Sequence, residues 1–255
     1  KDIATNELSV VIEKNTGLDY AMLETHPSAP LIKFNRKYIT CSDAHQLAAQ
    51  LINHKKNADQ KYRSDADAKA AYRLLLTAAI LSPNETIYSD LAVTSMLLGR
   101  MNESIRIFLL LLWKWPENVT ALANFGATLS KVNAGVAAVS VLKLNALLQP
   151  QDAPAWGNLA ASLCQERRSP LEAERAARKS IAIDPNAKLM NVNLSFALRE
   201  QGRINEAVEC LETSLSEKDF DIRIYSSLML SYLYLYGSDQ NKVAELHKKC
   251  GQLIE

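Results

Sequence analysis

Residues that break regular structure are scarce in this sequence, which has 8 glycines and 8 prolines among its 255 residues. Hydrophobic residues make up 48% of the chain and charged residues 22%. Disordered chains are poorer in apolar residues and richer in net charge, so the composition excludes a largely disordered protein. It indicates a globular chain whose length suits one large domain or two of ordinary size.

An excess of charge and a long apolar segment are both missing. The chain has 29 lysines and arginines against 28 aspartates and glutamates, which leaves a formal net charge of +1. Because proteins that bind nucleic acid usually carry a basic surface, we expect no nucleic-acid partner. The longest apolar run, from Ile107 to Trp113, is far shorter than the ~20 residues that span a bilayer. It therefore predicts a buried helix and no membrane partner.

The cysteines lack the spacing of a disulfide framework or a zinc site. They are widely separated and form no Cys-x-x-Cys pair, at Cys41, Cys164, Cys210 and Cys250. We predict reduced, buried thiols in a cytoplasmic protein, and no secretory signal is visible after Lys1. His247 and Cys250 form one His-x-x-Cys pair, which does not complete a four-ligand site, so neither a metal nor another cofactor is expected.

Catalytic motifs are missing as well. The sequence contains no glycine-rich phosphate loop and no Gly-x-Ser-x-Gly motif. Its four histidines are too scattered to supply a base and a nucleophile. We expect no catalytic residue and no enzyme activity within these residues.

What the sequence does contain is an internal repeat. Four prolines stand 33, 34 and 35 residues apart, at Pro83, Pro116, Pro150 and Pro185. Because proline does not continue a helix, each one marks the end of a helical unit, and Asp219 takes the next place in the series. Large apolar residues keep the same step at Leu91, Phe125, Leu159 and Leu194. Small residues, which let two helices approach closely, keep it at Ser104, Ala138, Ala173 and Ala207.

The repeat unit has a recognisable form. The fourth unit reads Asn191-Val192-Asn193-Leu194-Ser195-x-x-Leu198, then Gly202, Ala207, Leu211 and Ser214. It resembles the tetratricopeptide repeat (TPR), a helix–turn–helix of about 34 residues, and Trp156 adds the expected aromatic residue in the third unit. The resemblance implies an all-α fold, a right-handed TPR superhelix (α-solenoid) of helical hairpins. Four regular units are expected at 85–118, 119–152, 153–187 and 188–221.

The ends of the chain depart from the repeat. Residues 42–84 indicate an irregular first repeat, with helices at about 42–54 and 67–81. Residues 222–255 are expected to form capping or junction helices after the regular units at 85–221. Residues 1–41 indicate a short helix at about 7–14 and an extended, proline-containing segment. A cap on the stack and a mobile tail both fit this segment.

Local signals predict where several helices begin and end. The stretch Ser169-Pro170-Leu171-Glu172 is a capping-box sequence with proline at the first helical position, so a helix should begin there. Gly202 suits a left-handed turn between the two helices of its unit. Asn133 holds the same place in the second unit, and asparagine tolerates that conformation.

A row of polar residues marks a candidate binding face. The first helix of each TPR hairpin lines the concave side of the superhelix. The residue just before each large apolar position is Asp90, Asn124, Asn158, Asn193 and Ser227. An amide offers a donor and an acceptor, so successive asparagines can hold an extended peptide by its backbone. The residues predicted to bind a polypeptide partner are Asp90, Asn124, Asn158 and Asn193. The alternative is that these asparagines satisfy neighbouring backbone groups or face water.

Two groups of motifs resemble one enzyme family. The steps Asn124-Phe125-Gly126, Asn158-Leu159-Ala160 and Asn193-Leu194-Ser195 resemble the Asn-Leu-Gly step in the TPR arm of the O-linked N-acetylglucosamine (O-GlcNAc) transferases. The stretches from Tyr225 to Tyr232 and from Val243 to Gly251 resemble the junction in bacterial and plant (SPINDLY-type) members, although Leu246 intervenes between Glu245 and His247. In that family an asparagine ladder grips the protein substrate. The resemblance implies a substrate-recognition arm of an O-GlcNAc-transferase-like glycosyltransferase, with the catalytic lobes after Glu255.

Simpler interpretations stand beside this one. The C-terminal residues also fit an amphipathic capping pair of helices, with one apolar face at Leu228, Tyr232 and Leu235 and the other at Val243, Leu246 and Leu253. A free-standing adaptor or chaperone-like protein is the alternative function. The clamp that TPR co-chaperones use for acidic tails is not matched, because the corresponding places are mostly small or apolar: Ser89, Val93, Ala123, Ala127, Gly157, Ala161, Val192 and Phe196.

Two tryptophans end the most apolar helix. Trp113 and Trp115 follow the run of leucines at its C-terminal end. We expect them to pack in the core, and a homodimer contact is the alternative.

Overall fold

The computed structural model describes residues 31–34, 37–53, 65–186, 189–215, 221–235 and 240–252. The helix expected at 7–14 and the prolines Pro27 and Pro30 lie outside the described residues. Contacts divide the chain into two compact units, Lys1–Ala121 and Leu122–Glu255. The division into 1–41, 42–84, 85–221 and 222–255 stays a prediction.

The described part of the first unit begins with a small β-hairpin. Strands β1 (Leu31–Phe34) and β2 (Lys37–Thr40) pair antiparallel, with Leu31 opposite Thr40 and Phe34 opposite Lys37. The sequence indicated only an extended segment here. The pairing was missed because each strand has four residues and no Asn-Gly or Asp-Gly turn marks the hairpin.

Four helices follow in the described residues of this unit: α1 (Cys41–Asn53), α2 (Asp65–Leu81), α3 (Glu85–Leu97) and α4 (Met101–Lys114). Helix α1 begins at Cys41 because the Asp43 amide donates to Thr40 Oγ1, while the Thr40 amide donates to Asp43 Oδ2. Hydrogen bonds from the Thr40 hydroxyl and amide hold the pKa of the Asp43 carboxyl below its ordinary value. Successive helices pack on each other around a core that includes Ala44, Leu75 and Leu91.

In the second unit, too, successive helices pack on each other. Its described residues form α5 (Val119–Lys131, whose first residues lie in the first unit), α6 (Gly135–Leu148), α7 (Ala153–Glu166), α8 (Pro170–Ile183), α9 (Met190–Glu200), α10 (Ile204–Glu212), α11 (Ile222–Tyr234) and α12 (Gln240–Gln252). Each predicted repeat of the range 85–221 therefore contains one pair of helices. Pro116, Pro150 and Pro185 fall just after the second helix of their pairs, as the sequence predicted, whereas Asp219 lies outside the described residues.

Both repeating series of residues are buried. The large apolar positions Leu91, Phe125, Leu159 and Leu194 lie in the core, and so do the small positions Ser104, Ala138, Ala173 and Ala207. Ser104 is the one polar member of the small series. Its burial is tolerated because its Oγ donates to the carbonyl of Ala92 on the facing helix at 2.8 Å. Ser180 Oγ does the same with the carbonyl of Ala153 at 2.8 Å. The predicted close approach of paired helices is confirmed.

The turn inside each hairpin has one left-handed residue. Positive φ angles occur at Gly99 (76°), Asn133 (58°), Arg167 (55°) and Gly202 (75°), at the same place in four repeats. The predictions for Asn133 and Gly202 are confirmed. Arg167 was not predicted, because arginine, unlike glycine and asparagine, seldom adopts this conformation.

The capping prediction at Ser169 is only half correct. Helix α8 begins at Pro170 as expected, but the Ser169 side chain makes no capping hydrogen bond. Ser169 has φ −141° and ψ 69°, which is not the extended conformation that aims an N-cap hydroxyl at the first helical amides. Its carbonyl accepts from the Ala173 amide at 3.0 Å, as in any first helical turn.

Replacing Gly202 by alanine tests the left-handed turn. We expect Gly202→Ala to lower the free energy of unfolding by about 1–2 kcal/mol, because a Cβ disfavours the φ of 75° observed there. Gly251→Ala is the matched control, since Gly251 lies in α12 with no atom within 4 Å of an added Cβ, and alanine favours a helix. Urea unfolding followed by circular dichroism should show a lower midpoint for Gly202→Ala alone. Equal losses in both variants would contradict the prediction.

The apolar run on α4 is not buried throughout, so that prediction is wrong. Phe108 and Leu111 are fully buried, whereas Leu109 is 54% exposed and Trp113 is 80% exposed. Helix α4 packs on α3 with one face, and the apolar run is wider than that face. The prediction of core packing is therefore also wrong for Trp113. Trp115 is half-buried, and its ring centroid lies 6.0 Å from that of Tyr88.

Cys41, Cys164 and Cys210 are not joined by disulfide bonds. Cys41 and Cys164 are buried as predicted, and Cys210 is half-buried. Burial raises the pKa of Cys164 to about 12 and that of Cys210 to about 11, so both stay protonated near neutral pH. Across the described ranges, no cluster of histidine, cysteine and acidic residues could hold a metal ion. No helix there is long and apolar enough to cross a membrane.

Candidate polypeptide-binding site

The first helices of successive hairpins lie side by side in the second unit. Gln165 Nε2 of α7 donates to the carbonyl of Ser130 on α5 at 3.5 Å. Cys164 Sγ of α7 donates to the carbonyl of Asn193 on α9 at 3.4 Å. Arg199 Nη1 of α9 donates to the carbonyl of Ser227 on α11 at 3.3 Å. We call the surface formed by α5, α7, α9 and α11 the first-helix face.

Three of the predicted asparagines belong to this face. Asn124, Asn158 and Asn193 directly precede buried residues of α5, α7 and α9, at the same place in each repeat. Asn158 is exposed, while Asn124 and Asn193 are half-buried. Within the part of the chain that the structure describes, the side-chain amides of Asn124 and Asn158 make no hydrogen bond. The amide of Asn193 has a long contact of 3.9 Å with Met190 Sδ. These amides can therefore offer donors and acceptors to a ligand, and their role in binding stays a prediction.

The fourth predicted residue, Asp90, lies in the first unit. Its Oδ2 is 2.7 Å from Nε2 of His45, so a contact between α3 and α1 already uses this carboxylate. Both side chains are partly exposed. Asp90 has a structural partner that none of the three asparagines has, and its part in binding also stays a prediction.

An aromatic ring in contact with two arginines adds to the first-helix face. Phe196, one turn after Asn193 on α9, is half-buried, and the guanidinium carbons of Arg167 and Arg199 lie 5.3 and 5.7 Å from its ring centroid. These distances are typical of cation–π contacts. Burial lowers the pKa of Arg199 from its ordinary value, and the guanidinium stays charged at neutral pH. This cluster was not predicted, although the sequence has a large aromatic residue at the place where the two preceding repeats have Ala127 and Ala161.

The polar row ends at α11. Ser227, which holds the same place as the asparagines, is buried, and its Oγ lies 3.0 Å from Ser195 Oγ. Arg199 Nη1 donates to Ser227 Oγ at 3.0 Å and to Ser231 Oγ at 2.9 Å. These hydrogen bonds join α9 to α11, so Ser227 is engaged inside the protein and the open part of the row is α5, α7 and α9.

The last two helices pack as an amphipathic pair. Leu228 and Tyr232 of α11 and Leu246 of α12 are buried in one cluster with Leu211 of α10. The hydroxyl of Tyr232 donates to Glu212. Leu235 and Val243 pack against this cluster, whereas Glu245, His247 and Lys248 are exposed; Leu253 and Glu255 lie outside the described residues. Packing alone accounts for the apolar part of the C-terminal motif, and it leaves the exposed charged part without a structural role.

Comparison with known proteins gives matches of fold. No model of a known protein family matches the sequence, and no curated protein matches it. A tetratricopeptide repeat protein from Parabacteroides merdae ATCC 43184 is similar with a TM-score of 0.69 and 14% identity, covering 83% of this chain and 79% of that chain. MamA (41-end) from Desulfovibrio magneticus RS-1 is similar with a TM-score of 0.59 and 17% identity, covering 68% of this chain and 92% of that chain.

A third solved structure agrees with these two. TTC0263, a thermophilic TPR protein in Thermus thermophilus, has a TM-score of 0.54 and 17% identity, covering 76% of this chain and 100% of that chain. Identities this low show the fold alone. The prediction of an all-α fold of the TPR class is confirmed.

Proposed function

We propose that this protein is a binding scaffold whose first-helix face holds an extended polypeptide. The observation that supports this most strongly is the pair of uncommitted amides, Asn124 and Asn158, at one place on neighbouring helices. Because the side-chain amides of these two asparagines make no hydrogen bond within the described residues, a ligand can bind them without breaking a contact of the fold. A backbone ligand satisfies both groups of an amide, its donor and its acceptor.

The spacing of the helices fits an extended ligand. Packed helices lie about 8–10 Å apart and an extended chain advances about 3.3 Å per residue, so each amide would meet the peptide at about every third residue. One turn after Asn124 and Asn158 on the same helices, the exposed small residues Ala127 and Ala161 leave room for side chains of different size. The Phe196 ring and its two arginines would add an apolar and cationic contact at one end. Such a site selects an extended backbone more than a particular sequence.

A triple substitution tests this proposal. Asn124→Ala/Asn158→Ala/Asn193→Ala is expected to weaken the binding of a fluorescein-labelled pool of random synthetic peptides by about tenfold or more, at about 0.5–1.5 kcal/mol per lost hydrogen bond. Asn102→Ala/Asn205→Ala is the matched control, because both residues are exposed on second helices. Fluorescence anisotropy gives the affinities, and circular dichroism shows whether helical content is kept.

The outcomes separate binding from folding. Weakened binding with unchanged melting in the triple variant, and unchanged binding in the control variant, would support the proposal. Undiminished binding in the triple variant would show that the asparagines do not hold the peptide. Loss of helical content would show that they are structural.

A finer proposal concerns the enzyme to which such a scaffold would belong. The asparagine steps and the exposed Glu245, His247 and Lys248 support a recognition arm of an O-GlcNAc-transferase-like protein glycosyltransferase. Sequencing the native gene beyond the codon for Glu255 tests this proposal. Two α/β lobes there would support it, whereas a stop codon would contradict it and favour the free-standing adaptor. The polypeptide-binding proposal survives either result.

A further inference from the structure

A groove on the second unit lies among α6, α7 and the start of α8. It encloses about 690 Å³. Its floor is apolar: Leu159 and Ala176 are buried, and the Trp156 ring is held by a hydrogen bond from its Nε1 to the carbonyl of Pro150 at 3.2 Å. No residue of the asparagine row lines the groove, although the lining residue Leu159 directly follows Asn158.

The two walls of the groove expose large apolar side chains. Leu147 of α6 is 62% exposed and Leu171 of α8 is 59% exposed. On α6, Leu147 follows Lys143 by one helical turn. On α8, Leu171, Arg175 and Lys179 follow one another at intervals of one turn, so each wall is a stripe along one face of a helix. Exposed leucines that line a concave surface rimmed by charge are typical of an interaction site.

The charge of the rim has one sign. Four cations line the groove, namely Lys143, Arg168, Arg175 and Lys179, against a single carboxylate, Glu172. That carboxylate is already paired, since Lys143 Nζ lies 2.5 Å from Glu172 Oε1. Three exposed cations therefore have no partner among the lining residues, in a chain whose formal net charge is only +1.

We infer that this groove binds an acidic, amphipathic segment of a partner protein. Apolar side chains of the segment enter the groove over Trp156 between Leu147 and Leu171. Its aspartates and glutamates meet Arg168, Arg175 and Lys179 on the rim. Arginine favours this role because its planar fork pairs with a carboxylate through two hydrogen bonds. The site shares helix α7 with the first-helix face, but none of its lining residues is one of the asparagines.

A charge-reversal pair tests the inference. Arg175→Glu/Lys179→Glu is expected to weaken binding of a short synthetic peptide that alternates leucine or phenylalanine with aspartate or glutamate by about tenfold or more, because two attractions become repulsions. Arg106→Glu/Lys248→Glu makes the same change in net charge at exposed positions outside the groove, and should keep the affinity nearly unchanged. The same peptide with asparagine and glutamine in place of its acids should bind the wild-type protein more weakly.

A separate substitution tests the apolar part of the groove. Leu171→Ser, at an exposed position, is expected to weaken both the acidic and the neutral peptide, with circular dichroism unchanged. The asparagine triple variant should bind the acidic peptide like the wild type, so failure here is distinguishable from failure of the first-helix face.

Four results would overturn the inference. The first is equal affinity of the wild-type protein for the acidic and neutral peptides, and the second is equal affinity of the charge-reversal and control variants. The third is self-association in sedimentation that the charge reversal abolishes, because a second copy would then be the occupant. The fourth is charge-dependent binding of vesicles containing phosphatidylserine without binding of the peptide, which would assign the groove to a membrane surface.

Discussion

Replacing Phe108 by alanine is expected to lower the free energy of unfolding by about 3–5 kcal/mol. Phe108 is fully buried in α4, and truncation to alanine both removes its apolar contacts and leaves a cavity in close-packed surroundings. Because small proteins are stable by only about 5–15 kcal/mol, this single change would remove a large part of the stability.

The neighbouring residue provides the control for this prediction. Leu109 follows Phe108 in the same apolar run but is 54% exposed, so Leu109→Ala should change the free energy of unfolding by no more than about 0.5 kcal/mol. Urea unfolding by circular dichroism measures both values, and hydrogen exchange should show faster exchange in α4 of the Phe108 variant. Similar losses in the two variants would mean that the run is buried on both sides, as the sequence alone had indicated.

The second large effect is expected from replacing Gly126 by alanine, which adds one carbon atom. A Cβ at this position in α5 would lie 2.5 Å from Cγ and 2.6 Å from Cδ2 of Leu142 in α6. Contacts this short force the helices of the hairpin apart or Leu142 out of its rotamer. We expect Gly126→Ala to lower the free energy of unfolding by about 1–3 kcal/mol, although alanine is the better helix former.

A double-mutant cycle assigns the loss at Gly126 to this contact. Leu142 is buried, so Leu142→Ala alone should lower the free energy of unfolding by about 2–5 kcal/mol. The double variant should lose less than the sum of the two single variants by about 0.5–3 kcal/mol, because the methyl group added by Gly126→Ala would fill part of the space that Leu142 leaves. Additive losses in urea unfolding would show that the two positions do not touch.

The repeat architecture was predictable because its physics is local. Helix pairs that pack on their sequence neighbours place proline, small and large residues at one fixed period, so Pro150 and Pro185, or Ala138 and Ala173, mark their units in the sequence itself. The left-handed turns at Gly202 and Asn133 were predictable for the same reason. Arg167 was not, since nothing in its residue type indicates a positive φ.

The features that were not predicted from the sequence depend on which side of a helix or strand packs against another element. The leucines of α4 look equally apolar, and only the packing on α3 makes Phe108 a core residue and Trp113 an exposed one. The β-hairpin at 31–40 was missed because pairing of two short strands leaves little mark in the sequence.

The candidate site also has some features that were predictable from the sequence and others that were not. The asparagine register was predictable from the sequence, because it repeats at the period of the fold. The contact of Arg167 and Arg199 with Phe196 involves an arginine in the turn of one hairpin and two residues of the next, and no local pattern brings them together. Likewise, the polar row continues in the sequence to Ser227, which the packing of α9 on α11 buries.

The most direct test of the first-helix face compares two forms of one peptide on two forms of the protein. N-methylation of alternate amides removes backbone donors while keeping every side chain. If Asn124, Asn158 and Asn193 grip the backbone, N-methylation should weaken binding to the wild-type protein by about tenfold and barely change binding to the triple alanine variant. An equal loss for both proteins in fluorescence anisotropy would contradict the backbone grip.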